Sequence, residues 1–355
     1  MNQQKSDSPR VVFRADASQR IGFGHLRRCA TLGRKLRESG VAVHFLLKAQ
    51  DVDLATELHG FTEANVVFDQ GLAGKDDAVR TAAYCRGIGA DCAVIDHCHA
   101  DEAYQLILLN AGLRWLQFDG LARTPLWADW VISMSPAADV DRYRALQSRP
   151  QTRLLLGPRY AILREEFLRG RTSRRSIPRA TRLLLTFGGG DDRGACVTCL
   201  DAFRLVNEFE ITILSGGRNP QVPRIRSWIE QHTEQRVQLL LDDPDVGRRM
   251  AEADIAITAG GTTTFEAAML GLPSLIVQIA DNQRANAQAW DRLGVAVDLG
   301  PLEGLDVVQL RDQLVALAGN AEVRERMSGL GMAYVDGLGT ERIVRELYPN
   351  KNGII

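Results

Sequence analysis

Two glycines and a histidine, Gly22-Phe23-Gly24-His25, stand between a short apolar run, Val11-Val12-Phe13, and an amphipathic segment from Leu26 to Leu36. Glycines let a backbone turn tightly and approach a ligand closely. The N–H groups at a helix start favour anions, and histidine exchanges a proton near neutral pH. A ligand with a phosphate beside a reacting carbon would meet both features here. The spacing departs from the usual phosphate loops: Arg27 stands where Gly-x-Gly-x-x-Gly needs its third glycine, and no Gly-Lys-Ser/Thr triplet occurs. The same residues also fit an ordinary strand-to-helix turn.

A second constellation is Ala259-Gly260-Gly261-Thr262-Thr263-Thr264-Phe265-Glu266, after the apolar run Asp254–Thr258. Its backbone N–H groups suit a diphosphate. Thr263 with Glu266 also reads as a capping box, Thr263 the N-cap and Glu266 the N3 residue. Glu266 then either caps the helix or accepts hydrogen bonds from vicinal sugar hydroxyls. In Asp281-Asn282-Gln283, Asp281 or Asn282 reads as an N-cap, or Asn282 and Gln283 as contacts to a polar ligand. His97-Cys98-His99, with Asp96 and Asp101 near, has two histidines at i and i+2. It reads as a zinc site or, as we expect, as a polar substrate contact by Asp96 or His97 with no metal.

Positioning these residues falls to two α/β halves. In the first, β-like runs Val11–Phe13, Val41–Leu47, Asn65–Phe68, Cys92–Ile95 and Trp115–Phe118 alternate with helical segments Leu26–Glu38, Leu54–Leu58, Asp76–Gly87 and Asp101–Asn110. Asp129–Ser133 adds a sixth strand. The alternation predicts a parallel sheet covered on both faces. Residues Arg164 to Arg182, with seven arginines and Pro178, read as a solvated linker. The pattern restarts with strands Arg182–Thr186, Glu210–Leu214, Val237–Leu241, Asp254–Thr258, Ser274–Ile279 and Val295–Asp298. A helix starts near Gly194, and others run over Thr263–Leu270 and Asn282–Leu293. A mostly helical tail runs from Asp306 to Leu347. Residues 1–10 read as a flexible leader, 11–160 and 182–355 as the domains, 161–181 as the linker. The terminal helix is expected to pack back on the first domain. Ligands of such sheets bind beyond the carboxyl ends of the strands, and the cleft between two units is the default site.

The 355 residues are 45% hydrophobic and 25% charged with net charge −1, the profile of a soluble globular chain without a strongly basic nucleic-acid surface. No apolar run reaches membrane-span length. The polar leader does not read as a signal peptide. Scattered cysteines at 29, 85, 92, 98, 196 and 199 point to reduced thiols in the cytoplasm. Cys196 and Cys199 form a Cys-x-x-Cys pair, read as buried small residues on one helix face rather than a redox pair.

Together these motifs resemble the GT-B sugar-nucleotide enzymes. Gly260 to Glu266 and Gln283 look like the nucleotide site of the peptidoglycan N-acetylglucosaminyl transferase. The ordered set is more similar to the UDP-sugar hydrolases of pseudaminic acid biosynthesis: Arg14-Ala15-Asp16, Gly22-Phe23-Gly24-His25, Arg28-Cys29, Ile95-Asp96-His97, Phe187-Gly188-Gly189, Ala259 to Thr263, Glu266, Leu270-Gly271-Leu272-Pro273 and Ala280 to Gln283. Two departures bear on the sugar more than on the nucleotide. Cys98 stands where the family often has Tyr, and Gly120 follows Asp119 where it commonly has a second Asp.

The resemblance implies an α/β, GT-B type fold, two Rossmann-like domains with parallel sheets facing a central cleft. It implies metal-independent hydrolysis of UDP-2,4-diacetamido-2,4,6-trideoxy-β-L-altropyranose to UDP and free sugar, with inversion at C1 and no cofactor. His25 is the expected general base, and Gly260, Gly261, Thr262 and Thr263 the diphosphate turn. Arg14, Asp16, Gly22, Gly24, Arg28, Asp96, His97, Gly188, Gly189, Glu266, Asn282 and Gln283 are further expected contacts to the UDP-sugar. A GT-B transferase, a hydrolysing 2-epimerase and a sugar-nucleotide binding protein without turnover are the alternatives.

Overall fold

The computed structural model describes residues 8–18, 24–50, 54, 58–61, 65–67, 71, 73–97, 99–171 and 177–349. Gly22, Phe23 and Cys98 lie outside them, as does most of the expected helix Leu54–Leu58. The chain divides into unit 1, Met1–Ile162 with Leu338–Ile355, and unit 2, Leu163–Gly337.

Unit 1 is built on β1 (Arg10–Ser18), β2 (Ala42–Gln50), β3 (Asn65–Val67), β4 (Cys92–Asp96), β5 (Trp115–Phe118), β6 (Trp130–Ser133) and β7 (Arg153–Leu156). All pair in parallel, in the order β3-β2-β1-β4-β5-β6-β7. Helices α1 (Gly24–Glu38), α2 (Gly74–Ile88) and α3 (Glu102–Asn110) are the crossovers that matter to the site. One core, with Phe13, Leu26, Cys29, Phe45 and Leu116, fills the α1 face; a second, with Val12, Ala82, Ile95, Tyr104 and Trp115, fills the other. A sheet covered on both faces needs apolar strands, and every residue of β4, β5 and β6 is buried. The helix Gly339–Leu347 adds Ile343 and Leu347 to the α1-side core. Its first residue must be glycine, because a Cβ there would stand 2.2 Å from the Ala161 oxygen.

Unit 2 repeats the plan with β8 (Arg182–Thr186), β9 (Glu210–Ser215), β10 (Arg236–Leu241), β11 (Ile255–Thr258), β12 (Ser274–Gln278) and β13 (Ala296–Pro301). These pair in parallel, in the order β10-β9-β8-β11-β12-β13. The arginine-rich stretch is not simply a linker. A short helix, Glu165–Arg169, forms there, and the boundary between the units precedes it. Strand order reverses between β1 and β4 in unit 1 and between β8 and β11 in unit 2. Open α/β sheets bind ligands at such switch points, beyond the carboxyl ends of the strands. Among the described residues, no helix is long and apolar enough to cross a membrane.

Candidate active site

At the unit 1 switch point Ala15 of β1 stands opposite Asp96 of β4. Side chains alternate along a strand. Asp96 therefore points to the α1 face, while Arg14, Asp16 and His97 belong to the α2–α3 face. The contacts bear this out. His25 lies in the first turn of α1, its Nδ1 2.6 Å from Asp96 Oδ1. Arg28, three residues on, places Nε 2.5 Å from Asp96 Oδ2 and Nη2 against Oδ1. Cys29 Sγ donates to Oδ2 at 3.4 Å. Residues i, i+3 and i+4 of one helix thus converge on one carboxylate. The Arg28 guanidinium is also held over the Phe118 ring, 4.4 Å from its centroid.

Burial pushes the Asp96 carboxyl up, but the charge and hydrogen bonds of Arg28, then those of His25, outweigh it and hold the group well below the usual carboxylate range. Nδ1 of His25 faces the ionised Asp96 at 2.6 Å and Arg28 Nη2 at 3.1 Å; the shorter contact, to an acceptor, favours the tautomer that carries its proton on Nδ1. The lone pair then lies on Nε2, on a ring that is 29% exposed while Asp96 is 1% exposed. An imidazole oriented by a buried carboxylate is the arrangement a general base requires.

The opposite face carries a second buried cluster. Arg14, expected at the substrate, is 1% exposed. Its Nε donates to Asp77 at 3.0 Å, its Nη2 to Asp77 at 2.5 Å, and its Nη1 to Asp16 at 2.7 Å and to the Ala15 carbonyl at 2.8 Å. A guanidinium so enclosed organises the strand ends rather than reaching a ligand. Asp77 also accepts from Tyr104 Oη at 3.0 Å and Thr81 Oγ1 at 3.3 Å. Asp77, Thr81 and Tyr104 belong to no motif, and only the charged residues Arg14 and Asp16 in an otherwise apolar strand signal that partners must exist. His97 accepts the His99 N–H on Nδ1 at 3.2 Å, and Tyr104 packs against its ring at 4.9 Å. Burial first, then Arg14, lowers its pKa to about 4, so it is a neutral imidazole at pH 7.

In unit 2 the loop after β8 turns through Gly188, at φ +92°. Gly189 touches the loop after β9 so closely that a Cβ on Gly216 would stand 2.1 Å from the Gly189 oxygen. Asp192, 1% exposed, holds this loop by accepting from the Gly194 N–H at 2.7 Å and Asn219 Nδ2 at 3.1 Å. After β11, Gln283 Oε1 accepts the N–H groups of Gly260 at 3.1 Å and Ile279 at 3.0 Å. Its amide oxygen is thus committed to bracing the turn, and Asn282 is exposed beside it on the 3₁₀ turn Asp281–Gln283.

The expected capping box does not form. Thr262, not Thr263, is the N-cap of the helix Thr263–Met269, and its side chain makes no cap hydrogen bond. Thr264 instead donates from Oγ1 to the Gly261 carbonyl at 2.7 Å, and Glu266 faces Arg164 at 3.7 Å. Neither Asp281 nor Asn282 caps the next helix, Arg284–Arg292, whose N-cap is Gln283. The N–H groups of Gly261, Thr262 and Thr263 have no protein acceptor among the described residues. Three adjacent donors of this kind make an anion cradle. Cys196 and Cys199 are both buried, and burial pushes both thiols up, which leaves them unreactive.

No family model matches the chain. It is 21% identical over 350 residues to an uncharacterized protein of Methanocaldococcus jannaschii, covering 96% of this chain and 70% of that one. It is 28% identical over 203 residues to the spore coat polysaccharide biosynthesis protein SpsG of Bacillus subtilis, covering 56% of this chain and 59% of that one. To the UDP-2,4-diacetamido-2,4,6-trideoxy-β-L-altropyranose hydrolase of Campylobacter jejuni it is 22% identical over 289 residues, covering 81% of this chain and 98% of that one. Among solved structures, Acinetobacter baumannii MurG aligns with TM-score 0.70 at 16% identity, over 96% of this chain and 99% of that one. The fold is GT-B. A UDP-GlcNAc 2-epimerase from Neisseria meningitidis aligns with TM-score 0.67 at 13% identity, over 96% of this chain and all of that one.

Proposed function

We propose that the chain hydrolyses a UDP-linked diacetamido-trideoxy sugar at the anomeric carbon, releasing UDP and a free sugar for pseudaminic-type nonulosonic acid synthesis. The observation that carries the reading is the His25–Asp96 pair at the switch point of unit 1. A protein that only bound sugar nucleotides would need no oriented base there. The likeness to the Campylobacter jejuni hydrolase supports the choice of substrate.

In this mechanism His25 Nε2 takes a proton from water as the water oxygen bonds to C1. The bond from C1 to the diphosphate oxygen breaks, and its electron pair leaves with UDP. Asp96 stabilises the imidazolium that forms, and Arg28 keeps Asp96 ionised. The N–H groups of Gly261, Thr262 and Thr263 receive the growing charge on the leaving diphosphate. Gly188, Gly189, Glu266 and Asn282 complete the nucleotide end, and Gln283 braces it. A base of this kind contributes on the order of 10²–10⁴-fold. Attack opposite the leaving group inverts C1. No residue in this scheme is assigned to a metal.

The likeness to MurG favours one alternative, a transferase with an acceptor hydroxyl in place of water. The test is incubation with the UDP-sugar, without acceptor or metal. UDP and free sugar appear if the proposal holds. Release only on adding an acceptor would make the chain a transferase, and a changed C2 configuration an epimerase.

A further inference from the structure

Two groups of the buried cluster on the α2–α3 face keep hydrogen-bonding capacity that the fold does not use. Asp16 is 5% exposed; Oδ1 accepts from Arg14, and nothing among the described residues donates to Oδ2. His97 is 6% exposed, and with Nδ1 accepting from His99 its ring proton sits on Nε2, which is buried and has no partner. A buried N–H left unpaired costs roughly 1–3 kcal/mol. Room for relief by rotation is small, because the ring is fixed by the His99 contact on one side and Tyr104 on another. With Ala15 opposite Asp96, the last residue of β4, Asp16 continues along β1 and His97 is the first residue past β4; contacts to Arg14 and to Tyr104 place both on the α2–α3 side of the carboxyl edge.

We propose that Asp16 and His97 together recognise a secondary amide, with Asp16 Oδ2 accepting its N–H and His97 Nε2–H donating to its carbonyl oxygen. Resting on the UDP-sugar reading above, this makes an acetamido group the feature of the sugar that unit 1 selects. A carboxylate repels the diphosphate, so the pair addresses the neutral end of the ligand. An amide offers donor and acceptor on separate atoms, which suits partners at the ends of two neighbouring strands, themselves about 4.8 Å apart, better than the single oxygen of a hydroxyl. Nε2 is shielded from water, so its capture includes a local opening of the sheet edge around the ligand.

The test compares binding by calorimetry of UDP, the UDP-linked 2,4-diacetamido sugar, and two analogues carrying a hydroxyl in place of one acetamido group, all in a His25→Ala background so that no sugar is hydrolysed during the titration; wild type here means Asp16 and His97 intact. The variants are Asp16→Asn and His97→Asn. The first keeps an acceptor for Arg14 but presents an amide donor where Oδ2 stood. The second keeps a side-chain acceptor for the His99 N–H and removes the far donor. The wild type should prefer the diacetamido sugar over one analogue by tenfold or more. Each variant should cut that preference by at least tenfold while UDP affinity stays unchanged. A variant that weakens all three sugars equally, or leaves the preference intact, overturns the proposal. UDP binding without any acetamido preference in the wild type also overturns it while sparing the UDP-sugar reading. Failure of the wild type to bind UDP would overturn both.

Discussion

Lowering the pH from 7 to 5 should destabilise the protein through His97 in particular. Its surroundings hold the Arg14 guanidinium, the opposing carboxylates Asp16, Asp77 and Asp96, and the Tyr104 ring; burial, then Arg14, prevail and lower its pKa to about 4. In the unfolded chain the value returns to about 6.5. Between these values the unfolded state binds a proton that the folded state refuses, so stability is full above about 6.5 and falls with pH towards 4. A gap of roughly 2.5 units at about 1.4 kcal/mol each caps the effect near 3 kcal/mol, and about 2 kcal/mol of it is lost by pH 5. Urea unfolding at pH 7 and pH 5, for the wild type and His97→Asn, isolates this group from the other histidines. The wild type should lose about 2 kcal/mol more than the variant over that interval. Equal losses would refute a buried neutral imidazole at this position.

Three further outcomes follow from the geometry. Asp96→Asn removes the charge that orients His25 and should lower kcat on the order of 10²-fold or more with UDP affinity unchanged, as steady-state kinetics and calorimetry would show. Gly260→Ala puts a Cβ 3.0 Å from the Gln283 Cβ and 3.1 Å from its carbonyl oxygen. It should weaken UDP binding while leaving the His25 side intact, and undiminished affinity would remove the turn from the nucleotide site. Arg324 donates to the carbonyls of Leu317 at 2.7 Å, Ala318 at 2.6 Å and Ile177 at 2.5 Å. Arg324→Met should cost unit 2 about 3 kcal/mol in urea unfolding, and a loss within error would mean that water replaces these bonds.

The strands that read as short apolar runs, such as Trp115–Phe118 and Arg182–Thr186, have those same bounds in the structure. β7 was not expected. Its four residues begin with an exposed arginine at 153, so it lacks the apolar onset of the others. β1 extends five residues beyond its apolar core to Ser18, because the buried Arg14 is paired with Asp16 beside it and with Asp77 more than 60 positions away. Residue types and spacing pointed to His25 and Asp96 separately, but nothing in either motif pairs them. Their contact spans 71 residues and arises from the strand order β1-β4. The threonine-rich turn looked like a capping box because the spacing fits, yet Thr264 takes the Gly261 carbonyl and Glu266 faces Arg164. Local pattern suggests a cap; tertiary partners decide whether one forms.

The central claim is that water, activated at His25, attacks C1 of a UDP-linked sugar. Running the reaction in ¹⁸O-labelled water, with UDP-2,4-diacetamido-2,4,6-trideoxy-β-L-altropyranose as the sole substrate, tests it most directly. Mass spectrometry should find the label in the free sugar at first turnover, none in UDP, and almost no product with His25→Ala. Label in UDP, or undiminished turnover by His25→Ala, would contradict the account.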